Sequence, residues 1–172
     1  MPANFKLVVT RQLGREPNIQ FSVAESCIYG WPAVVRNAAM TRSGKPNPNL
    51  FYLTCPYLVK KVSNLEDKSL IRKIQEKVKS DTRLSANLKE ANRKHGSAWL
   101  ALAGKTRGQF SIQTPNIAGA GDPLAVKCLH AHLAYHLVDK SNKLGAMVAA
   151  EIPELWCSDE MCLDYLKNDG QA

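Results

Sequence analysis

The chain has 172 residues, 45% hydrophobic and 22% charged, which suits one globular core and is short for two. No apolar run approaches the roughly 20 residues that cross a bilayer. Met1–Val9 shows no charged leader ahead of an apolar stretch, so the expectation is a cytoplasmic protein with no membrane association. The net charge of +8 is uneven: Tyr57–Arg107 holds 13 Lys and Arg against 5 Asp and Glu, whereas Ala150–Ala172 holds six acids and one lysine. A basic middle of this kind either pairs with the acidic tail or faces an acidic partner such as nucleic acid.

In chain order, Phe5–Thr10, Gln20–Ala24 and Ala33–Ala38 read as strands. Ser43-Gly44-Lys45-Pro46-Asn47-Pro48 reads as a turn, and Asn49–Thr54 as an apolar buried strand. At Cys55-Pro56 the period changes: proline suits a first helical position, and Leu58, Val59, Val62 and Leu65 follow at helical spacing. Leu70, Ile71, Ile74 and Val78 define a second helix, and Asp81 caps a third that runs toward Trp99 and Leu102. Thr106–Gly121 is a long loop. Asp122-Pro123 predicts a helix running to about Val138, with a terminal helix packing Trp156, Leu163 and Leu166 on the core. The fold class is therefore α+β: a small, mostly antiparallel sheet from the N-terminal third, covered by about four to five helices. Residues 1–172 are expected to form a single domain, with 146–172 an acidic extension packed on it.

The five cysteines are odd in number and include no close CxxC pair, so buried packing, metal ligation or reactivity is favoured over a disulfide framework. Cys128, His132 and His136 form one stripe of the Pro123–Val138 helix, because residues four apart project from the same side. His130 then lies about 160 degrees from His132 around the axis, off the shared face. Cys55 sits at a helix start, where unpaired amides favour thiolate. Cys27 lies in a turn shaped by Gly30 and Pro32. Cys157 and Cys162, in the acidic tail, are expected to serve packing. No nucleophile elbow or phosphate-cradling glycine loop occurs.

Four strings stand in order: Arg11-Gln12-Leu13-Gly14-Arg15, Cys27–Val35 (CIYGWPAVV), Leu50–Pro56 (LFYLTCP) and Val126–His132 (VKCLHAH). Over about Arg11–Gly145 (residues 11–145) the chain resembles the bacterial "domain of unknown function 501" family, which brings no established activity. The resemblance implies that the family's recurring Cys, Cys-Pro and Cys-Leu-His-Ala-His elements correspond to Cys27, Cys55, Cys128, His130 and His132. The chain departs from the family pattern at Ile28, where proline is usual, and at Asn142-Lys143-Leu144-Gly145.

Three functional expectations follow. The first is a metal site on Cys27, Cys55, Cys128 and His132, holding zinc or an iron–sulfur cluster. The second is a metal-free thiol enzyme acting on an acidic substrate, with Cys55 as nucleophile, His130 or His132 as base, and Lys60 and Lys127 nearby. The third is a binding module presenting the basic 57–107 helices to RNA or another acidic partner.

Overall fold

The computed structural model describes residues 5–41, 43–104 and 114–167. Phe5–Thr10, expected as a strand, lies instead in helix α1 (Phe5–Leu13). An apolar run this short fits either period, and here Val8 and Val9 turn inward together on one helical face, both fully buried. Gly14, at φ 66°, ends the helix: its N–H donates to Arg11 O (3.2 Å) and the Arg15 N–H donates to Thr10 O (3.1 Å). That paired pattern needs a left-handed residue just past the helix, which glycine adopts without steric penalty.

Strands β1 (Phe21–Ser26), β2 (Pro32–Asn37) and β3 (Phe51–Leu53) form one antiparallel sheet in that order. Val23 pairs with Val35, and Val34 with Leu53. The chain reverses between β1 and β2 at Cys27–Gly30, where the Gly30 N–H reaches Cys27 O at 2.9 Å. β2 is the centre of the sheet and buries Ala33, Val34 and Val35. The fold is α+β, as the alternation of the first third and the later helical periods predict.

Helix α2 (Pro56–Asp67) follows β3 directly, with Cys55 at its N-cap and Pro56 in its first turn. α3 (Leu70–Ser80) buries Ile74 and Val78. α4 (Thr82–Ala103) is capped by Asp81, whose carboxylate accepts from the Arg83 N–H (2.8 Å) and the Leu84 N–H (3.1 Å). Lys60, Lys61, Arg72, Lys73 and Lys77 stand exposed on α2 and α3. Of the predicted loop Thr106–Gly121, residues 106–113 lie outside the described residues, and Ile117–Gly119 makes one tight 3-10 turn.

The largest departure is at α5, which spans Leu129–Val138 rather than starting at Pro123. Two side chains hold the preceding segment out of helix. Gln75 donates to Leu124 O (3.0 Å) and accepts from the Val126 N–H (2.8 Å), and Glu66 accepts from the Leu129 N–H (2.7 Å). Cys128 is the extended N-cap, at φ −153°. Helix α6 (Lys143–Ala150) packs tightly on α5, and a Cβ on Gly145 would collide with His132 O and His136 Cβ. A single cluster joins Val34, Leu53, Leu58, Leu88, Leu133 and Leu144, so α5 lies at the heart of the core.

The tail returns to α2 and to the turn between β1 and β2. Tyr57 donates to Glu154 O (2.8 Å), Tyr29 to Cys157 O (3.1 Å), and the Trp31 indole to the Glu160 carboxylate (3.1 Å). Its last described element is α7 (Asp164–Lys167). Trp156 packs on the core as expected, but Leu163 is 38% exposed and Cys162 takes the buried position beside Val8 and Trp31. No helix among the described residues is long and apolar enough to cross a membrane.

Candidate metal centre

Three dissimilar side chains meet where α2 ends and α5 begins: Glu66, Cys128 and His130, with ligand atoms all within 4.8 Å of one another. Glu66 occupies the last turn of α2, where the helix dipole disfavours a negative charge. Its Oε1 caps α5 through Leu129 N and lies 3.3 Å from His130 Nδ1. Cys128 Sγ lies 3.9 Å from the same Nδ1.

The imidazole is oriented from its other side. His130 Nε2 is 3.2 Å from the Val59 carbonyl oxygen and 3.2 Å from Ser63 Oγ. A carbonyl only accepts, so Nε2 carries a hydrogen, and Nδ1 faces Glu66 and Cys128 with a lone pair when the ring is neutral and with an N–H when it is protonated. A ring N–H donated to a backbone carbonyl is the usual support of a metal-binding histidine. Burial pulls the ring toward its neutral form, but the Cys128 contact, the Glu66 carboxylate and the Val59 carbonyl outweigh it and raise the His130 pKa above its ordinary value. Electron-rich atoms converging in this way need a cation among them, either a proton or a metal ion.

The spacing admits either, since 3.3 Å is also an N–H···O contact for a protonated ring. Ligand atoms about 2.0–2.3 Å from a tetrahedral zinc ion lie about 3.3–3.7 Å apart. The N···O separation of 3.3 Å falls there, and the S···N separation of 3.9 Å is slightly wide. All three side chains are half-buried, and Cys128 and His130 line an open cavity of about 480 Å³ with Tyr52, Val59 and Lys127.

The residues expected to share one site are placed differently. Cys128 precedes α5 instead of lying on its stripe, so its sulfur meets His130, the histidine that helical spacing set aside. His132 is fully buried, its Nδ1 accepting from Asn142 Nδ2 (3.3 Å), and burial lowers its pKa to about 4. His136 is likewise taken up in the fold, its Nδ1 donating to Asn142 O (3.0 Å). Cys55 is 5% exposed, and burial pushes its thiol up to about 11 against the lowering from the Leu58 and Tyr57 amides. The helix start is there, and desolvation opposes its pull toward thiolate at Cys55. Cys27 packs beside Trp31 and Cys162. Among the described residues, neither Cys27, Cys55 nor His132 joins Cys128 in a ligand group. Glu66 escaped a search by spacing because it lies 63 positions before the amide it caps, and its one local signal was an acid at a helix C-terminus.

Residues 23–150 match a family model described as a protein of unknown function, DUF501. The chain belongs to this family. No curated protein and no solved structure matches it. All three residues of the DUF501 chain's candidate centre lie inside the matched segment, whereas Arg15, Cys157 and Cys162 lie outside it.

Proposed function

We propose that this protein binds one divalent ion of the zinc class through Glu66 Oε1, Cys128 Sγ and His130 Nδ1, leaving a fourth position toward the 480 Å³ cavity. The observation that carries this reading is the convergence of three different donors on one point, with the imidazole already oriented by Val59. One thiolate, one imidazole and one carboxylate suit zinc better than magnesium or calcium, which prefer oxygen, and better than an iron–sulfur cluster, which takes mainly thiolates. Three protein ligands and an open position form the arrangement of a catalytic rather than a structural ion. An ion there lowers the pKa of bound water or polarises an oxygen of a ligand in the cavity.

A metal-free thiol mechanism fits the same residues less well. A cysteine–histidine mechanism uses one imidazole nitrogen for the thiol and orients the ring from the other, through a carboxylate or an amide oxygen. Here Val59 and Ser63 hold Nε2, but Nδ1 faces Glu66 as well as Cys128, so a carboxylate competes with the thiol for the one nitrogen. Metal analysis of untagged protein tests the proposal. About one equivalent of zinc, lost in Cys128→Ser and in His130→Ala but kept in Cys27→Ser, is the expected result. Absence of stoichiometric metal from both the isolated and the zinc-reconstituted protein overturns it.

A further inference from the structure

A basic middle and an acidic tail can neutralise each other, and among the described residues they do not. Lys60, Lys68, Arg72, Lys73, Lys77 and Lys79 stand exposed on α2, on α3 and at the bend between them. Among the described residues none of the six makes an ion pair. The hydrogen bonds of the tail run instead to Tyr57, Tyr29 and Trp31. Cations elsewhere are taken up: Arg93 by Glu90 (2.7 Å), Lys6 by Glu16 (2.7 Å) and Lys94 by Ser141 Oγ (3.1 Å). Of the acids on α2 and α3, Glu66 is turned to Leu129 and His130, which leaves Asp67 and Glu76 exposed beside the six cations. The apolar faces of the two helices are spent on the core, through Leu58, Val62, Ile74 and Val78.

We infer that the outer face of α2 and α3 binds the phosphate backbone of a nucleic-acid duplex without reading its sequence. Cations clear of local acids neutralise phosphates and release the counterions condensed on a duplex, a gain that needs no other complementarity. The rest of the face argues against other polyanions. A lipid surface takes up apolar side chains beside the cations. The exposed large apolar residues, Ile28, Tyr52, Leu102 and Leu163, all lie outside α2 and α3. A folded acidic protein is held through buried aromatic or apolar anchors, which this face lacks for the same reason. Single strands stack on aromatic rings, and the one aromatic residue of these helices, Tyr57, is half-buried with Lys61 Nζ 5.1 Å from its ring centre. Helix electrostatics do not call for the cations: Arg72 and Lys73 stand in the first turn of α3, where the dipole disfavours them, and Lys73 and Lys77 are like charges one turn apart. The face is independent of the metal centre, which uses none of these residues.

Fluorescence anisotropy of a short labelled duplex, DNA in one arm and RNA in the other, tests this with untagged, full-length, chelator-treated protein. Saturable binding is expected in at least one arm. For DNA, log affinity should fall against log salt with a slope of about −4 to −5, as for about four to six neutralised phosphates. Lys73→Glu with Lys77→Glu is expected to weaken binding about tenfold or more and to make the slope shallower by about two. The charge-matched pair Lys45→Glu with Lys143→Glu, exposed but outside α2 and α3, is expected to change affinity by less than about threefold. If thermal melts show that the first pair does not fold, Lys60→Gln with Arg72→Gln is read in its place, with a loss of about fivefold expected. No saturable binding below about 100 µM in either arm, or a salt slope near zero, overturns the inference. Equal losses in the α3 pair and the charge-matched pair overturn it as well, since net charge alone then explains the binding. So does tighter binding to phosphatidylserine vesicles or to polyglutamate than to either duplex.

Discussion

The Glu66 carboxylate holds the first amide of α5 and, from the same oxygen, meets the His130 imidazole 3.3 Å away. One side chain therefore decides where a helix starts and what its first histidine faces. Glu66→Ala removes the cap and is expected to cost about 1–2 kcal/mol of stability. Glu66→Gln retains an acceptor oxygen and is expected to stay close to wild type in urea denaturation, while binding zinc at least tenfold more weakly. A wild-type zinc affinity in Glu66→Gln would remove Glu66 from the ligand set.

Gly145 lets α6 lie against the His132 backbone of α5. Alanine there forces the two helices apart, so Gly145→Ala is expected to lose about 1–3 kcal/mol or more. Urea melts read this directly, and an unchanged midpoint would contradict the packing.

How much of this was legible in the sequence differs from element to element. Asp81 and Pro56 carry their helix starts in their own chemistry, and both were readable. α5 was misplaced because Asp122-Pro123 has the form of a helix start, while the groups that block it, Gln75 and Glu66, come from distant helices. That shift of origin changed which histidine could meet Cys128. α1 was misread because Val8-Val9 satisfies either period, although Gly14 after Leu13 was the available stop signal. Cys55 stands at a helix start as its Cys-Pro sequence implies, whereas its burial is a property of the whole core that no local pattern carries.

The thiols are therefore expected to rank by access. At neutral pH, iodoacetamide should modify half-buried Cys128 well before Cys55 or Cys162, both 5% exposed and both held protonated by burial. Zinc added first should protect Cys128 and leave Cys27 unaffected. Peptide mass spectrometry checks the order, and labelling of Cys55 ahead of Cys128 would contradict it.

His95 is 2% exposed, with Nε2 donating to Pro48 O at 3.1 Å and Nδ1 buried without a partner. Burial lowers its pKa from 6.5 to about 4. The unfolded chain thus binds a proton at higher pH than the folded one, so the contribution is present above about pH 6.5 and is lost as the pH falls toward about 4. The loss is expected to be on the order of 3 kcal/mol. His95→Gln should make this part of the stability–pH curve shallower, leaving the share that His132, also lowered to about 4, contributes. An equally steep curve in the variant would assign the acid sensitivity elsewhere.

Cobalt substitution tests the centre most directly, because a cobalt–thiolate bond gives a charge-transfer band that neither free cobalt nor an oxygen-only site shows. Titration of the metal-free protein should raise this band to saturation at one equivalent, and zinc should displace it. Cys128→Ser should abolish it, whereas Cys27→Ser and Cys55→Ser should leave it intact. A band that survives Cys128→Ser, or no band in the wild-type protein, would contradict a metal centre built on Glu66, Cys128 and His130.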